Sequence, residues 1–208
     1  MTVRAAQAPL IDIPQELPHG LVFRHEFLTP AEERALLDLS ATLPFREAKF
    51  KEYYARRRVV SFHDEAIDHS YDDDLAPAGS PPALLERLRQ KIAAFAGINA
   101  DEFVHVLVSE YQPGTPIGWH RDKPQYGIVA GVSLGGRARM RFRPLPGPGE
   151  WTRVDSKTLI VQDLEPRSIY VMRGDIRRRW QHSILPTKAL RYSVTMRTLA
   201  AAHSHGLD

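Results

Sequence analysis

The chain has 208 residues, of which 43% are hydrophobic and 25% charged, and its formal net charge is +3. This composition is ordinary for a globular domain and excludes a disordered chain, a collagen-like repeat and a coiled coil. No apolar run approaches the ~20 residues of a membrane-spanning helix, and the first 20 residues lack the apolar core of a signal peptide. We therefore expect a cytoplasmic protein without a membrane partner.

Cysteine is absent. Disulfides, cysteine-ligated zinc, iron–sulfur clusters and a cysteine nucleophile are therefore excluded. Any metal ion must be held by His, Asp and Glu, which turns attention to the nine histidines.

The first hundred residues predict a coil, a strand and two helices. Three prolines favour a coil over residues 1–20, and the apolar run at 21–28 suits a strand. A helix should begin after Thr29, because Thr29 and Glu32 form a capping box around a proline in the first turn. We place a short strand at residues 59–62. A second helix should be opened by Ser80 and Pro81 and ended by Gly97.

After residue 100 the hydrophobic pattern alternates with period two, which is typical of strands. Strands are predicted over residues 103–111, 128–134, 137–143, 158–164, 168–172 and 190–199. Helices followed by six or more short strands favour an α+β fold with a sandwich or barrel of strands. We expect one domain over residues 21–199, with a tail at 200–208.

Positive charge is concentrated in the C-terminal part of the chain. Residues 137–197 contain 14 Lys and Arg against 5 Asp and Glu. Such a basic half can attract a polyanion such as nucleic acid. A solvated arginine face is the alternative, and charge alone does not choose between them.

His120 and Asp122 stand two residues apart, so in extended backbone their side chains point to the same side. One metal ion can then bind both, and His182 in the downstream strand region is the best third ligand. Two histidines and one carboxylate form the facial set that suits non-heme Fe(II) oxygenases. Zinc accepts the same ligands, so the ligands alone do not fix the metal.

The segment 191–197 places Arg191, Ser193, Thr195 and Arg197 on one strand face. If that face points inward, it buries two guanidinium groups, and a buried guanidinium needs an anion such as a carboxylate. A solvent-facing polar side is the alternative. Six residues of strand span roughly 20 Å, so the two arginines would act at opposite ends of a site.

Together these motifs resemble those of the AlkB family of Fe(II)- and 2-oxoglutarate-dependent dioxygenases. The matching features, in chain order, are Tyr111 with Pro113-Gly114, His120-Arg121-Asp122, Ser133-Leu134-Gly135, Gly174-Asp175 ahead of His182, and the pair Arg191 and Arg197. The resemblance is strong over residues 107–199 and looser upstream. It is nearest to the bacterial AlkB-like branch.

The resemblance implies a double-stranded β-helix, or jelly roll, with the N-terminal helices packed outside. It divides the domain into a helical and substrate-lid part at residues 21–100 and a jelly-roll core at 101–199. It implies Fe(II) bound by His120, Asp122 and His182, with 2-oxoglutarate and O2 as cosubstrates. We expect the enzyme to be a monomer.

The resemblance also assigns the cosubstrate residues. Arg191 would grip the distal carboxylate of 2-oxoglutarate, Tyr111 would donate a hydrogen bond to it, and Arg197 would lie near the end that chelates iron. Family members often have Asn where this chain has Ser109 and Ser193. Serine still donates to a carboxylate, but with a shorter reach.

The substrate implied by the resemblance is an N-alkylated base in DNA or RNA. Phe62, His63 and Tyr71 lie where related enzymes carry a nucleotide-recognition lid, and Arg58 could contact phosphate. Pro124 stands where repair enzymes can carry a base-reading acid. A dioxygenase acting on a protein or small molecule, and a non-catalytic nucleic-acid-binding module, are the alternative functions.

Overall fold

The computed structural model describes residues 15–50, 53–63, 78–145 and 158–201. Its strands are β1 Gln15–Leu17, β2 Leu21–Arg24, β3 Arg46–Phe50, β4 Tyr53–His63, β5 Phe103–Tyr111, β6 Ile117–His120, β7 Tyr126–Gly135, β8 Ala138–Pro144, β9 Ile160–Leu164, β10 Ile169–Met172, β11 Trp180–Ile184 and β12 Arg191–Leu199. Its helices are α1 Pro30–Thr42, α2 Ala83–Ala96 and α3 Asp175–Arg178, with 3-10 turns at Pro18–Gly20 and Ala100–Glu102.

The strands form two antiparallel sheets. The major sheet has eight strands in the order β1-β2-β10-β7-β12-β5-β4-β3, and the minor sheet has four in the order β6-β11-β8-β9. Neighbours in these orders are mostly distant in sequence, as the long connections of a jelly roll require. The predicted α+β class with a double-stranded β-helix is therefore confirmed.

Two hydrophobic cores lie on the two faces of the major sheet. The larger core joins its outer face to α1 and α2 and contains Val60, Val108 and Val194. The smaller core lies between the sheets and joins Phe23 and Val129 of the major sheet to strands of the minor sheet. The major sheet is therefore buried on both faces. Part of its inner face packs in the smaller core, and part lines the cavity described below.

The helix signals in the sequence are confirmed. The Thr29 hydroxyl accepts from the Glu32 N–H and the Glu32 carboxylate accepts from the Thr29 N–H, which completes the capping box of α1. Gly97 follows α2 with φ +70°. Helix α2 begins at Ala83 rather than at Ser80 and Pro81. None of the helices in the described ranges is long and apolar enough to cross a membrane.

Two expectations about the N-terminal half need correction. The predicted coil over residues 1–20 contains the strand Gln15–Leu17 and a 3-10 turn. The predicted strand over 59–62 is the end of the longer β4, which begins at Tyr53. The part at 21–100 contains α1 and α2 as expected, and it also supplies β2, β3 and β4 to the major sheet. Pairing with later strands, rather than local pattern, makes these segments extended.

Gly131 in β7 makes room for an aromatic ring on the inner face of the major sheet. It pairs directly with Tyr170 of β10, and a Cβ at Gly131 would overlap the Tyr170 ring. Tyr170 is 8% exposed and lines the cavity described below. The missing side chain therefore leaves the space that this ring occupies.

We predict that Gly131→Ala lowers the free energy of unfolding by about 1–3 kcal/mol, because the added methyl group forces the buried ring to move. Urea unfolding followed by circular dichroism measures the change. Gly118→Ala in β6 is the matched control, since a Cβ there meets no atom within 4 Å. An equal effect of both substitutions would contradict this explanation.

Candidate active site

The inner faces of β4, β5 and β12 form one wall of a narrow cavity between the two sheets. These three strands are adjacent in the major sheet, and the register aligns their inward residues in rows. The opposite wall is the minor sheet, which contributes β6, β8 and β11. The alternation predicted for 191–197 is confirmed, because Arg191, Ser193, Thr195 and Arg197 all line this cavity.

A cationic row closes one end of the cavity. Arg57, Tyr111 and Arg191 lie side by side on β4, β5 and β12. Arg191 is 1% exposed and its Nε donates to the Ser133 hydroxyl at 3.1 Å. Its guanidinium carbon lies 4.8 Å from the Tyr111 ring centre. Within the described residues its Nη1 has no hydrogen-bond partner, so this end is suited to bind a carboxylate.

Tyr111 is the acid of this row. Burial alone would raise the pKa of its phenol, but the positive charges of Arg57 and Arg191 and a hydrogen bond with Ser193 lower it to about 8. Ser193 and Ser109 pair directly on β12 and β5 and both line the cavity. All five residues expected to bind the cosubstrate therefore line this cavity, four of them at this end and Arg197 at the other.

His120 and His182 lie at the other end, on the minor sheet. They are directly opposed on β6 and β11, with ring centres 4.2 Å apart. The His120 Nδ1 lies 2.9 Å from the Gly118 carbonyl, which can only accept, so Nδ1 carries the proton and Nε2 keeps its lone pair. Burial lowers the pKa of His182 to about 3, so its imidazole is neutral, as a metal ligand must be.

Asp122 follows β6 and stands beside both histidines. Its Oδ2 lies 3.7 Å from the His182 Nε2 and has no hydrogen-bond partner among the described residues. Burial would raise the pKa of Asp122, but the charge of Arg197 holds it well below the usual range. Buried Arg177 secures the segment by donating to the backbone carbonyls of Asp122 and Tyr126.

Arg197 connects this carboxylate to a buried hydrogen-bond chain. Its Nε and Nη2 donate to Asp122 Oδ1 at 3.3 and 3.2 Å, and its Nη1 donates to His105 Nδ1 at 3.0 Å. Because Arg197 can only donate, His105 carries its proton on Nε2 and donates to the Ser61 hydroxyl at 2.8 Å. That hydroxyl is then left to donate to His63 Nδ1 at 2.9 Å.

The donor set fits a divalent metal ion. No three His, Cys, Asp or Glu side chains in the described ranges form a ready-made metal site, and Asp122 Oδ1 faces Arg197. The unpartnered Oδ2, however, lies against a neutral histidine, and a second neutral histidine adjoins it. Two imidazoles and one carboxylate are the ligands of non-heme Fe(II), which agrees with the expected set of His120, Asp122 and His182.

The four expected substrate residues are placed differently from one another. Phe62 is 4% exposed and belongs to the core against the helices, and Arg58 is paired with Glu110 on that same outer side. Neither lines the cavity. Burial of Phe62 in the core corrects its expected role as a base-stacking ring, whereas the phosphate contact of the part-exposed Arg58 stays a prediction. His63 lies on the inward face and ends the chain from Arg197. Tyr71 lies outside the described residues.

Sequence reasoning missed Arg57. The signal for Arg57 was present in β4, because Val60 and Phe62 are the apolar face that meets the helices. By alternation Arg58 joins that face, while Arg57, Ser61 and His63 take the other. In β5 the same alternation places His105 on the face of Tyr111, and its contact with Arg197 follows from the register of β5 with β12.

A family model matches most of the chain. The model of the 2OG-Fe(II) oxygenase superfamily matches residues 20–198. An uncharacterized protein of Acanthamoeba polyphaga mimivirus is 27% identical over 175 residues, which cover 82% of this chain and 75% of that protein. The mitochondrial alpha-ketoglutarate-dependent dioxygenase alkB homolog 7 of Bos taurus is 29% identical over 172 residues, covering 81% of this chain and 69% of that one.

A third relative is much longer than this chain. The tRNA (carboxymethyluridine(34)-5-O)-methyltransferase alkbh8 of Xenopus tropicalis is 25% identical over 178 residues, which are 83% of this chain but only 26% of that protein. The similarity therefore concerns one portion of the methyltransferase.

Solved structures share the fold at low sequence identity. The structure of OsALKBH1 aligns with a TM-score of 0.66 and 16% identity, covering 88% of this chain and all of that one. A prolyl-4-hydroxylase from Pseudomonas putida aligns with a TM-score of 0.54 and 18% identity, covering 88% and 94%. Both support the jelly-roll assignment.

We predict that the protein binds one Mn(II) ion, used as a stable substitute for Fe(II), and that Asp122→Ala weakens this binding at least about 100-fold. Titration followed by electron paramagnetic resonance measures it. Exposed His25 provides the control His25→Ala, which should bind normally. His182→Ala leaves the Arg197–Asp122 pair intact and tests the same site should Asp122→Ala fold poorly. Unchanged binding in both ligand variants would refute the ligand set.

A second prediction concerns pH. Above about pH 8 the Tyr111 phenol loses the proton that it would donate to a carboxylate and becomes an anion facing that carboxylate. We expect kcat/KM for 2-oxoglutarate to fall about tenfold per pH unit above that point. Tyr111→Phe should give a lower but flat profile between pH 7 and 9. The same decline in both proteins would assign the titration to another group.

Proposed function

Because the chain belongs to the 2OG-Fe(II) oxygenase superfamily, we propose that it oxidatively demethylates N-alkylated bases in DNA or RNA, a repair activity. The enzyme is an AlkB-like dioxygenase whose cofactors are Fe(II), 2-oxoglutarate and O2. One observation carries the site assignment. Among the described residues, the Asp122 Oδ2 beside the two histidines and the Arg191 Nη1 have no hydrogen-bond partner, and they lie at the two ends of a single cavity.

The cofactors supply the oxidation. Bound at this site, Fe(II) would supply the chemistry by which 2-oxoglutarate and O2 give succinate, CO2 and a hydroxyl group on a substrate carbon. When that carbon is an N-methyl group, the product is a hemiaminal, which releases formaldehyde and the unmodified base.

The residues of this chain bind and orient the reactants. His120, Asp122 and His182 would hold the iron. Arg191 would bind the distal carboxylate of 2-oxoglutarate with its unpartnered Nη1, and Tyr111 would donate to the same carboxylate.

Arg197 fixes the remaining geometry of the site. Its contact with Asp122 keeps that carboxylate ionised and fixes one of its oxygens. The other oxygen stays directed at His182.

Two observations support nucleic acid as the substrate. Arginines are concentrated in residues 137–197, and one relative is by name a tRNA methyltransferase. One observation favours the alternative, a dioxygenase acting on a protein or a small molecule. Phe62, the expected base-stacking ring, is buried in the core instead. The expected cytoplasmic location is retained as part of the proposal.

Turnover with methylated oligonucleotides tests this function. Oligonucleotides containing 1-methyladenine or 3-methylcytosine should stimulate succinate release and yield formaldehyde in equal amounts, whereas unmethylated oligonucleotides of the same sequence should not. Asp122→Ala should abolish succinate formation. Succinate release that ignores the methyl group but rises with a protein or peptide substrate would favour the alternative.

A further inference from the structure

We propose that the outer face of the minor sheet binds single-stranded nucleic acid through a patch of Trp119, Arg141 and Arg143. The nucleotides bound there are those that flank the reacting base. This inference rests on the proposed function, because it names the form of substrate that the same site would receive. The three residues lie on β6 and β8 and are named here the Trp119 patch.

The structure divides Arg137, which directly precedes β8, and the three arginines of β8 into two pairs. Arg137 and Arg139 are neutralised, since both contact Asp163 at 2.7–2.9 Å and Arg137 also contacts Glu165 at 2.7 Å. Arg141 and Arg143 have no carboxylate partner among the described residues. The charges of Arg137 and Arg139 are thus balanced by Asp163 and Glu165, whereas Arg141 and Arg143 keep a positive charge that can bind an anion.

Arg141 and Arg143 are nonetheless held in place. Their guanidinium carbons lie 4.8 and 4.4 Å from the Trp119 ring centre, in cation–π range. The Nε of Arg141 donates to the Ser183 hydroxyl, and the Nε of Arg143 donates to the Gln181 side-chain carbonyl. Each guanidinium is therefore anchored by its Nε and its π-contact, which leaves its terminal amino groups to bind an anion.

The patch lies directly behind the metal ligands. His182 pairs with His120 on one side and with Phe142 on the other, so these three side chains share the inner face of the minor sheet. Trp119 and the arginines of β8 alternate with them and therefore lie on the outer face. Strand β6 is the edge of this sheet. A nucleic-acid strand bound to the patch therefore has to pass around β6 alone to reach the cavity.

The flexibility of a nucleic acid decides whether a duplex or a single strand can bind the patch and reach the cavity. Duplex DNA is stiff over ~150 base pairs and does not turn around the edge of one strand, whereas a single strand does. Residues two apart on a strand are about 6.5 Å apart, which suits adjacent phosphates, and guanidinium planes stack on unpaired bases. An acidic peptide can pair with the charges of Arg141 and Arg143, but it has no bases to stack on their guanidinium planes.

The test is binding of an unmethylated twelve-nucleotide single strand, measured by fluorescence anisotropy at several NaCl concentrations. The double variant Arg141→Gln/Arg143→Gln should reduce the slope of log K against log salt by roughly 1.4, as loss of two phosphate contacts requires. At a fixed salt concentration the affinity should fall at least tenfold. The double variant Arg137→Gln/Arg139→Gln removes the same charge from the same strand face and should leave the slope nearly unchanged.

Three results would overturn the proposal. If both double variants lost the same amount of affinity and salt slope, binding would depend on net charge alone and not on the patch. No loss in either would show that the strand binds elsewhere. Tighter binding of a poly-glutamate peptide than of the oligonucleotide, with the same dependence on Arg141 and Arg143, would assign the patch to an acidic protein.

Turnover separates this inference from the proposed function. With a methylated twelve-mer, Arg141→Gln/Arg143→Gln should raise KM and leave kcat unchanged, and with a methylated trinucleotide it should change neither. If the wild-type enzyme demethylates neither substrate but the salt slope still shifts, the proposed function fails and the patch stands. If the wild-type enzyme demethylates both substrates but the double variant does not change the salt slope, the patch proposal is refuted and the proposed function stands.

Discussion

The buried ion pair between Arg197 and Asp122 is the interaction on which the site depends. Arg197 belongs to β12 in the major sheet, and Asp122 follows β6 in the minor sheet, so the pair joins the two walls of the cavity. Removing one partner of such a pair typically costs about 3–5 kcal/mol, because the other charge is left buried and unpaired. The same contact that keeps the carboxylate ionised therefore also holds the sheets at their working separation.

His105 extends this constraint into the interior. It receives a hydrogen bond from Arg197, stacks on the Tyr126 ring with centres 5.4 Å apart, and leads through Ser61 to His63. Arg177 secures the other side of Asp122 through backbone carbonyls. The carboxylate is thus oriented by residues from four strands and a short helix, most of which never face a ligand.

Much of the site followed from alternation in single strands, and the remainder required register. The alternation of β12 correctly separated Arg191 and Arg197 from Tyr192 and Val194, and the Thr29 capping box fixed the start of α1. In β4, Arg58 and Phe62 were expected near the substrate from resemblance alone. Alternation groups them with Val60, and only the fold shows that this face meets the helices. The short strands β3 and β11 and the helix α3 arise from pairing and packing that no local pattern shows.

The direct opposition of His120 and His182 has a thermodynamic consequence. Both imidazoles are positioned by the backbone hydrogen bonds of the β6–β11 pair, so the conformational entropy of gathering two metal ligands is lost during folding of the sheet. A small zinc domain is different, because its ligands are brought together only by the ion and its fold disappears with the metal. In this architecture metal occupancy and global stability are only weakly linked, and loss of the ion disables the chemistry without unfolding the jelly roll.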